Sequence, residues 1–308
     1  MELALSDDQV QILDAIDSLA KPYAAVPIHD ISFALTSETL DDELAGGGFL
    51  DVAAMDELGP ETAALVVERL ARLPFAVEAA ASALIRPLLD PDLPRPLCLV
   101  QDGAVGRAVR YLKPGATVVI VGQGGVRSFT ASPEHVAGAL DESIFAYPMA
   151  VLKALPNDTD MRQYNVPSAE VLTQWRVGLA AEASGLMAAA LAATVTYVSE
   201  RKQFGRPIAA FQAIRHRLAE AQVLTNGAYW MTMKAAATRD PGDAALAALH
   251  AQEAARRVTY DCHQFLGAMG MTLEHPLHLW TYRLKALMSE LGGRGANAVE
   301  AAEAIWGA

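Results

Sequence analysis

From Pro167 onward the sequence consists of long helical stretches separated by brief turn signals, and stretches of that kind bury their apolar faces by packing side by side. Pro167-Ser168-Ala169-Glu170 suits a helix start, and the run continues to Lys202 before Gly205 and Pro207 stop it. A second helix is expected over 208–238, where Phe211, Ile214, Leu218, Ala221, Leu224, Ala228, Met231 and Ala235 recur at spacings of three and four. Asp240-Pro241-Gly242 turns the chain. A third helix over 243–266 then carries Ala248, Ala251, Ala255, Val258, Cys262 and Phe265 on one face. Gly267 to Gly270 breaks it, and one or two shorter helices follow. The expected fold is mainly α, with an antiparallel four-helix bundle in residues 151–308.

The rest of the 308 residues divides in two. Residues 1–94 read as an N-terminal helical domain. Ser6 caps an acidic first turn, Asp7-Asp8, ahead of Val10, Ile12, Leu13, Ile16 and Leu19. Further helices are expected from Glu61 to Leu73, behind Pro60, and from Val77 to Arg86, between Pro74 and Pro87. Residues 95–150 change character: Leu97-Cys98-Leu99-Val100, Thr117 to Val121 and Ser128-Phe129-Thr130 are short strand-like runs bounded by Gly and Pro. This is a reduced β region, short for an independent domain.

Several function classes are excluded or disfavoured. A net charge of −12, with no basic stretch, is unsuited to a phosphate backbone or an anionic lipid surface. No uncharged apolar run reaches the roughly 18 residues of a membrane span, and no basic-then-apolar leader opens the chain, so a cytoplasmic location is expected. Cys98 and Cys262 read as small core residues. Gly122-Gln123-Gly124-Gly125 follows a strand as a nucleotide loop would, but Val126 to Thr130 continues as a strand, so a hairpin turn is the better reading. His275 and His278 share a helical spacing without the carboxylates of a metal site and read as ordinary helix histidines.

One junction exceeds what a bundle requires. Tyr197-Val198-Ser199-Glu200-Arg201-Lys202-Gln203-Phe204-Gly205-Arg206-Pro207-Ile208, followed by Phe211-Gln212-Ala213-Ile214, joins the first two long helices. Basic residues there would offset a helix dipole, but that does not call for Phe204 or Gln212. The junction resembles the ERxxFG motif and QAI-type helix start of the acyl-CoA dehydrogenase family. His263 to Pro276, beginning His263-Gln264-Phe265-Leu266-Gly267-Ala268-Met269-Gly270, resembles that family's Q-x-x-GG-x-G segment. The resemblance covers 168–308 and, more loosely, Leu5 to Leu89, where Glu68 to Arg72 and Pro74-Phe75 stand at an EELGR-like segment.

The resemblance implies an FAD-dependent oligomer that desaturates acyl-CoA thioesters between Cα and Cβ, a carboxylate removing the α proton. It implies that Arg201, Lys202, Gln203 and Phe204 reach the FAD of a neighbouring subunit, with Phe211 and Gln212 beside it and Gln264, Gly267 and Ala268 near its pyrophosphate and adenosine. Ala268 stands where the family has its second glycine. The two family positions of the base fall at Leu291 and at Trp175, beside Arg176, and neither side chain accepts a proton. Glu290 is adjacent to the first position but is rotated by about 100° along a helix. Nothing between Arg95 and Met149 resembles the family's Thr/Ser-rich flavin segment. The losses fall on what a subunit supplies to its own site, while the parts lent to a neighbour survive. The expectation is therefore a non-catalytic partner in a heteromeric, α2β2 acyl-CoA dehydrogenase, with a homologous catalytic subunit and, by analogy, a bulky steroid-type acyl-CoA substrate. Two alternatives stay open: a conventional homo-oligomer using Glu290 as base, and a flavin-free scaffold or regulatory protein.

Overall fold

The structure, a computed structural model, describes residues 4–26, 33–55, 57–139 and 145–307. Helix α1, Asp7–Ala20, opens with a capping box: Ser6 Oγ accepts from the Gln9 N–H and Gln9 Oε1 from the Ser6 N–H. Helix α2, Glu38–Gly46, was not foreseen; it is acidic and buries only Leu40 and Leu44, too little periodicity to register. Helix α3, Gly59–Ala71, is buried almost all round.

The single helix expected over 77–86 is instead two short pieces, α4 (Ala80–Leu84) and α5 (Arg86–Leu89). Two side chains account for the difference. Glu78 accepts from the Ser82 and Leu97 backbone N–H groups, which delays the helix start. Pro87 lacks the N–H that would continue the ladder, so the helix restarts around it.

The β region is larger than the sequence suggested. It comprises β1 (Leu97–Gln101), β2 (Ala108–Arg110), β3 (Thr117–Gly122), β4 (Gly125–Thr130), β5 (Val136–Ala139), β6 (Met149–Leu152) and β7 (Arg162–Tyr164). Its last strand lies beyond the break expected at 150. One sheet runs β1-β3-β4-β7, with β1 and β3 parallel and the other pairs antiparallel; the second runs β2-β6-β5. The glycine run is the β3–β4 hairpin turn, with Gly122 paired to Gly125. Alternation decides the packing: Val118 and Ile120 face a small core between the sheets, whereas Val119 and Val121 join the main core of the helices.

The remainder is helical: α6 (Ser168–Glu200), α7 (Gln212–Thr238), α8 (Pro241–Leu266), α9 (Leu277–Leu287) and α10 (Gly293–Trp306). Every residue of α6 from Thr173 to Met187 is buried, because α3, α4, the sheet and three bundle helices surround it. Helix α6 is long and apolar enough to cross a membrane, yet 78% of its most apolar window is buried inside this fold. Small residues set the helix spacing. A Cβ at Gly185 would lie 2.1 Å from the Glu68 carbonyl oxygen of α3, and Ala244, Ala247, Ala248 and Ala251 of α8 are fully buried. Between α6 and α7 the chain forms a two-stranded ribbon, β8 (Lys202–Gln203) and β9 (Arg206–Pro207), so α7 begins at Gln212 rather than Ile208.

Candidate functional site

A cavity of about 370 Å³ lies between the small sheets, α4, α6 and the turn joining α9 to α10. Helix α6 presents Trp175, Leu179 and Glu182 to it from one face, since spacings of four and three return to the same side. The α9–α10 turn presents Glu290 and Leu291, and β2 presents Arg110. Thus the two positions where the resemblance puts a base, Trp175 and Leu291, line one cavity. The turn is tightly specified. Leu291 is left-handed (φ 54°) and is followed by Gly292 and Gly293 at positive φ. From α8, Gln252 Nε2 donates to the Leu287 and Glu290 carbonyls at 2.9 and 3.0 Å. Asn297 Nδ2 donates in turn to Gln252 Oε1, and Arg176 Nε to Asn297 Oδ1.

The charged groups of the cavity pair with one another, one cation against two carboxylates. Arg110 bridges Glu182 (3.0 Å) and Glu290 (2.9 Å), and Trp175 Nε1 donates to Glu290 Oε1 at 2.5 Å. Tyr147 Oη donates to Glu182 at 2.6 Å, and its ring centroid lies 4.8 Å from the Arg110 guanidinium. Arg283, fully buried, donates to the carbonyls of Leu73, Phe75 and Leu279. Burial opposes the charge on Arg110, but Glu290 and Glu182 outweigh it and raise its pKa well above the ordinary arginine range. Burial, reinforced by Glu182, raises Tyr111 and Tyr147 well above the usual phenol value, so both are donors. The sequence reading missed Arg110, Glu182, Tyr147 and Arg283. Glu182 carried a visible signal, as the sole acid between Glu170 and Glu200 of an apolar helix.

The residues singled out for cofactor contact lie elsewhere, at one end of the bundle. Phe204 (φ 54°) and Gly205 (φ 78°) form the tip of the β8–β9 ribbon, and Phe204 is 90% exposed. A tight hairpin of this kind needs two left-handed residues, and only one here is glycine. Phe204 meets the Phe211 ring edge-on at 6.1 Å, and the Arg206 guanidinium sits 4.2 Å from the Phe211 centroid. Gln212 begins α7 in the open. Gln264 on α8 and Gly267 and Ala268 in the turn that follows it are exposed. Two contacts tie the motifs together: Arg217 of α7 pairs with Asp261 of α8 and lies over Phe265, and Tyr197 of α6 packs against His275. Among the described residues, the side chains of Arg201, Lys202, Gln203, Gln212 and Gln264 have no hydrogen-bond or ionic partner. This end offers guanidinium, ammonium and amide donors beside an exposed aromatic ring, which suits a flat ligand bearing phosphates.

His275 lies in the turn before α9 rather than on a helix, and its Nδ1 accepts from the Leu277 N–H at 3.1 Å. Among the described residues no group of three or more His, Cys, Asp or Glu side chains is placed to hold a metal. Burial, followed by repulsion from His278, lowers the His275 pKa from its ordinary 6.5. A pKa depressed on folding makes the neutral ring part of the native state. Its stabilisation is present above about pH 6.5 and is lost as pH falls through the folded value. His275→Asn keeps an acceptor for Leu277 without titrating. Urea midpoints of that variant should fall less between pH 7.5 and 5 than those of the parent chain, and an equal fall would refute the assignment.

The architecture is that of a helical bundle and paired small sheets enclosing a cavity, and residues 166–303 match the family profile for the acyl-CoA dehydrogenase C-terminal domain. Over those residues the chain is similar to the acyl-CoA dehydrogenase C-terminal domain. It is 34% identical over 206 residues to acyl-CoA dehydrogenase FadE34 of Mycobacterium tuberculosis; the match covers 63% of this chain but only 28% of that relative's length. One chain of the ChsE4-ChsE5 complex from Mycobacterium tuberculosis superposes with a TM-score of 0.76 at 19% identity, over 97% of this chain and 97% of that one. A glutaryl-CoA dehydrogenase from Mycobacterium smegmatis in complex with FADH2 gives 0.70 at 17% identity, over 99% of this chain and 96% of that one. At these identities the superpositions establish the fold.

Proposed function

We propose that this chain is the non-catalytic subunit of a heteromeric, FAD-dependent acyl-CoA dehydrogenase, lending cofactor contacts across an interface to a homologous chain that holds the base. The state of the cavity carries the reading. Trp175 and Leu291 occupy the base positions, and both Glu290 oxygens are already engaged by Arg110 and Trp175. The outward-facing donors support the other half of the proposal. They are exposed and unpartnered, as groups awaiting a ligand on another surface would be. FAD, when bound, supplies the two-electron acceptor for desaturation of a CoA thioester. This chain's part would be to bind and orient. Arg201 and Lys202 would place positive charge against the pyrophosphate, Phe204 and Phe211 would flank the ring system, and Gln212, Gln203 and Gln264 would donate. Gly267 and Ala268 would let backbone approach closely. The similarity of this fold to a complex of two differently named chains supports a two-chain assembly, and a cytoplasmic, lipid- or steroid-directed role follows by analogy.

A second reading, a homo-oligomer using Glu290, draws on the presence of that carboxylate in the cavity. Visible absorbance of the chain purified alone, then with a co-expressed glutamate-bearing homologue, separates the two. Flavin bound only with the partner is expected, with Glu290→Gln in this chain leaving turnover of the complex intact. Flavin on the chain alone, together with a loss of about 100-fold or more in turnover for Glu290→Gln, would overturn the proposal.

A further inference from the structure

We infer that His263 is the positioning residue that fixes the cofactor-facing turn, an assignment that rests on the FAD reading above and extends it to a residue behind the contact surface. The turn, Gly267–Met271, leaves α8 abruptly because Gly267 adopts φ 59°, ψ −131°, a conformation closed to residues with a side chain. It then folds back against the helix it has left. A Cβ at Gly270 would sit 3.1 Å from the His263 carbonyl oxygen and 3.1 Å from Leu266 Cβ, so the approach is close.

The imidazole holds it there. His263 Nδ1 lies 2.7 Å from the Gly270 carbonyl oxygen, and His263 Nε2 lies 2.9 Å from Thr281 Oγ1 on α9. A carbonyl only accepts, so Nδ1 carries the hydrogen; in the neutral ring Nε2 is then an acceptor, and the single Thr281 hydroxyl hydrogen is shared between it and the Leu277 carbonyl, 3.0 Å away. One tautomer therefore ties α8, the turn and α9 together. The Tyr282 ring stacks on the imidazole at 6.1 Å and 15°, with the Lys285 ammonium 4.2 Å from the far ring. Burial lowers the His263 pKa from 6.5 against the Gly270 bond that raises it. Lys285 and His278, the charged and titratable groups facing it from α9, lower it further and keep the ring neutral. Gln264 follows directly on the exposed side of α8, and Gly267 and Ala268 are the exposed rim of the turn so held.

The test uses the co-expressed complex and three variants. FAD affinity is measured by equilibrium dialysis well below the unfolding temperature, and thermal midpoints are recorded in parallel. His263→Phe, which keeps the bulk and loses both hydrogen bonds, is expected to weaken FAD binding about tenfold. In His263→Asn the amide nitrogen takes the place of Nδ1 and donates to Gly270, so most of the affinity should return. A purely structural role would lower the thermal midpoint and leave FAD affinity unchanged. Arg201→Ala is the reference. If it weakens FAD and His263→Phe does not, the positioning role falls alone; if the complex binds no FAD, or neither variant weakens it, the underlying cofactor reading falls with it. In the isolated chain, a long-range imidazole 15N correlation spectrum showing Nε2 protonated at pH 7.5 would also overturn the assignment.

Discussion

Arg110→Met is expected to destabilise the folded chain by about 3–5 kcal/mol, read as a fall in the urea midpoint at pH 7. Methionine roughly matches the reach of the lost side chain, so little of this is a cavity effect. The cost arises because Glu182 and Glu290 are left facing each other in a site where Arg110 is only 18% exposed. Removing one partner of a buried ionic cluster is far more damaging than removing all of them. Adding Glu182→Gln and Glu290→Gln to Arg110→Met should therefore recover most of the loss. A single variant within about 0.5 kcal/mol of the parent would mean that water already screens the cluster. The experiment also bears on function, because the same arginine occupies both oxygens' surroundings at Glu290 and closes that carboxylate to a ligand.

Gly185→Val should be comparably severe, at about 3 kcal/mol or more. The added Cβ would meet the Glu68 carbonyl oxygen at 2.1 Å and Ala71 Cβ at 2.8 Å. Backbone cannot swing aside as the end of a side chain can, so α3 must move off α6 and carry the N-terminal helices with it. Gly178→Ala on the same helix is the matched control. Its new Cβ would lie 3.1 Å from Ala80 Cβ and 3.4 Å from Leu84 Cδ1, and alanine's helix propensity offsets the crowding by up to about 1 kcal/mol. Near-parental stability is expected there. Equal losses at both sites would show that the damage is not specific to the α3–α6 contact.

The bundle was legible because α7 and α8 each bury one face, so their apolar spacing has a period. Helix α6 was legible only by its start and stop signals; buried all round over 173–187, it has no face to betray. Strands β2 and β7 are three residues each and went unread, which hid Arg110. An ion pair joining residues 72 positions apart in sequence, as Arg110 and Glu182 are, leaves no local mark at all. The junction between α6 and α7 was visible as a motif, but its hairpin was not. A left-handed phenylalanine is not something spacing or propensity announces. Its placement is set by the ribbon around it.

A rigid hairpin that thrusts the Phe204 ring into water makes a lone copy of this chain adhesive, and Met271, 76% exposed, lies on the neighbouring turn. Under the two-chain reading, a surplus of this subunit would not accumulate quietly. Copies without a companion would be the ones that chaperones and proteases find first, so the cell could match the two chains in number without regulating their synthesis together.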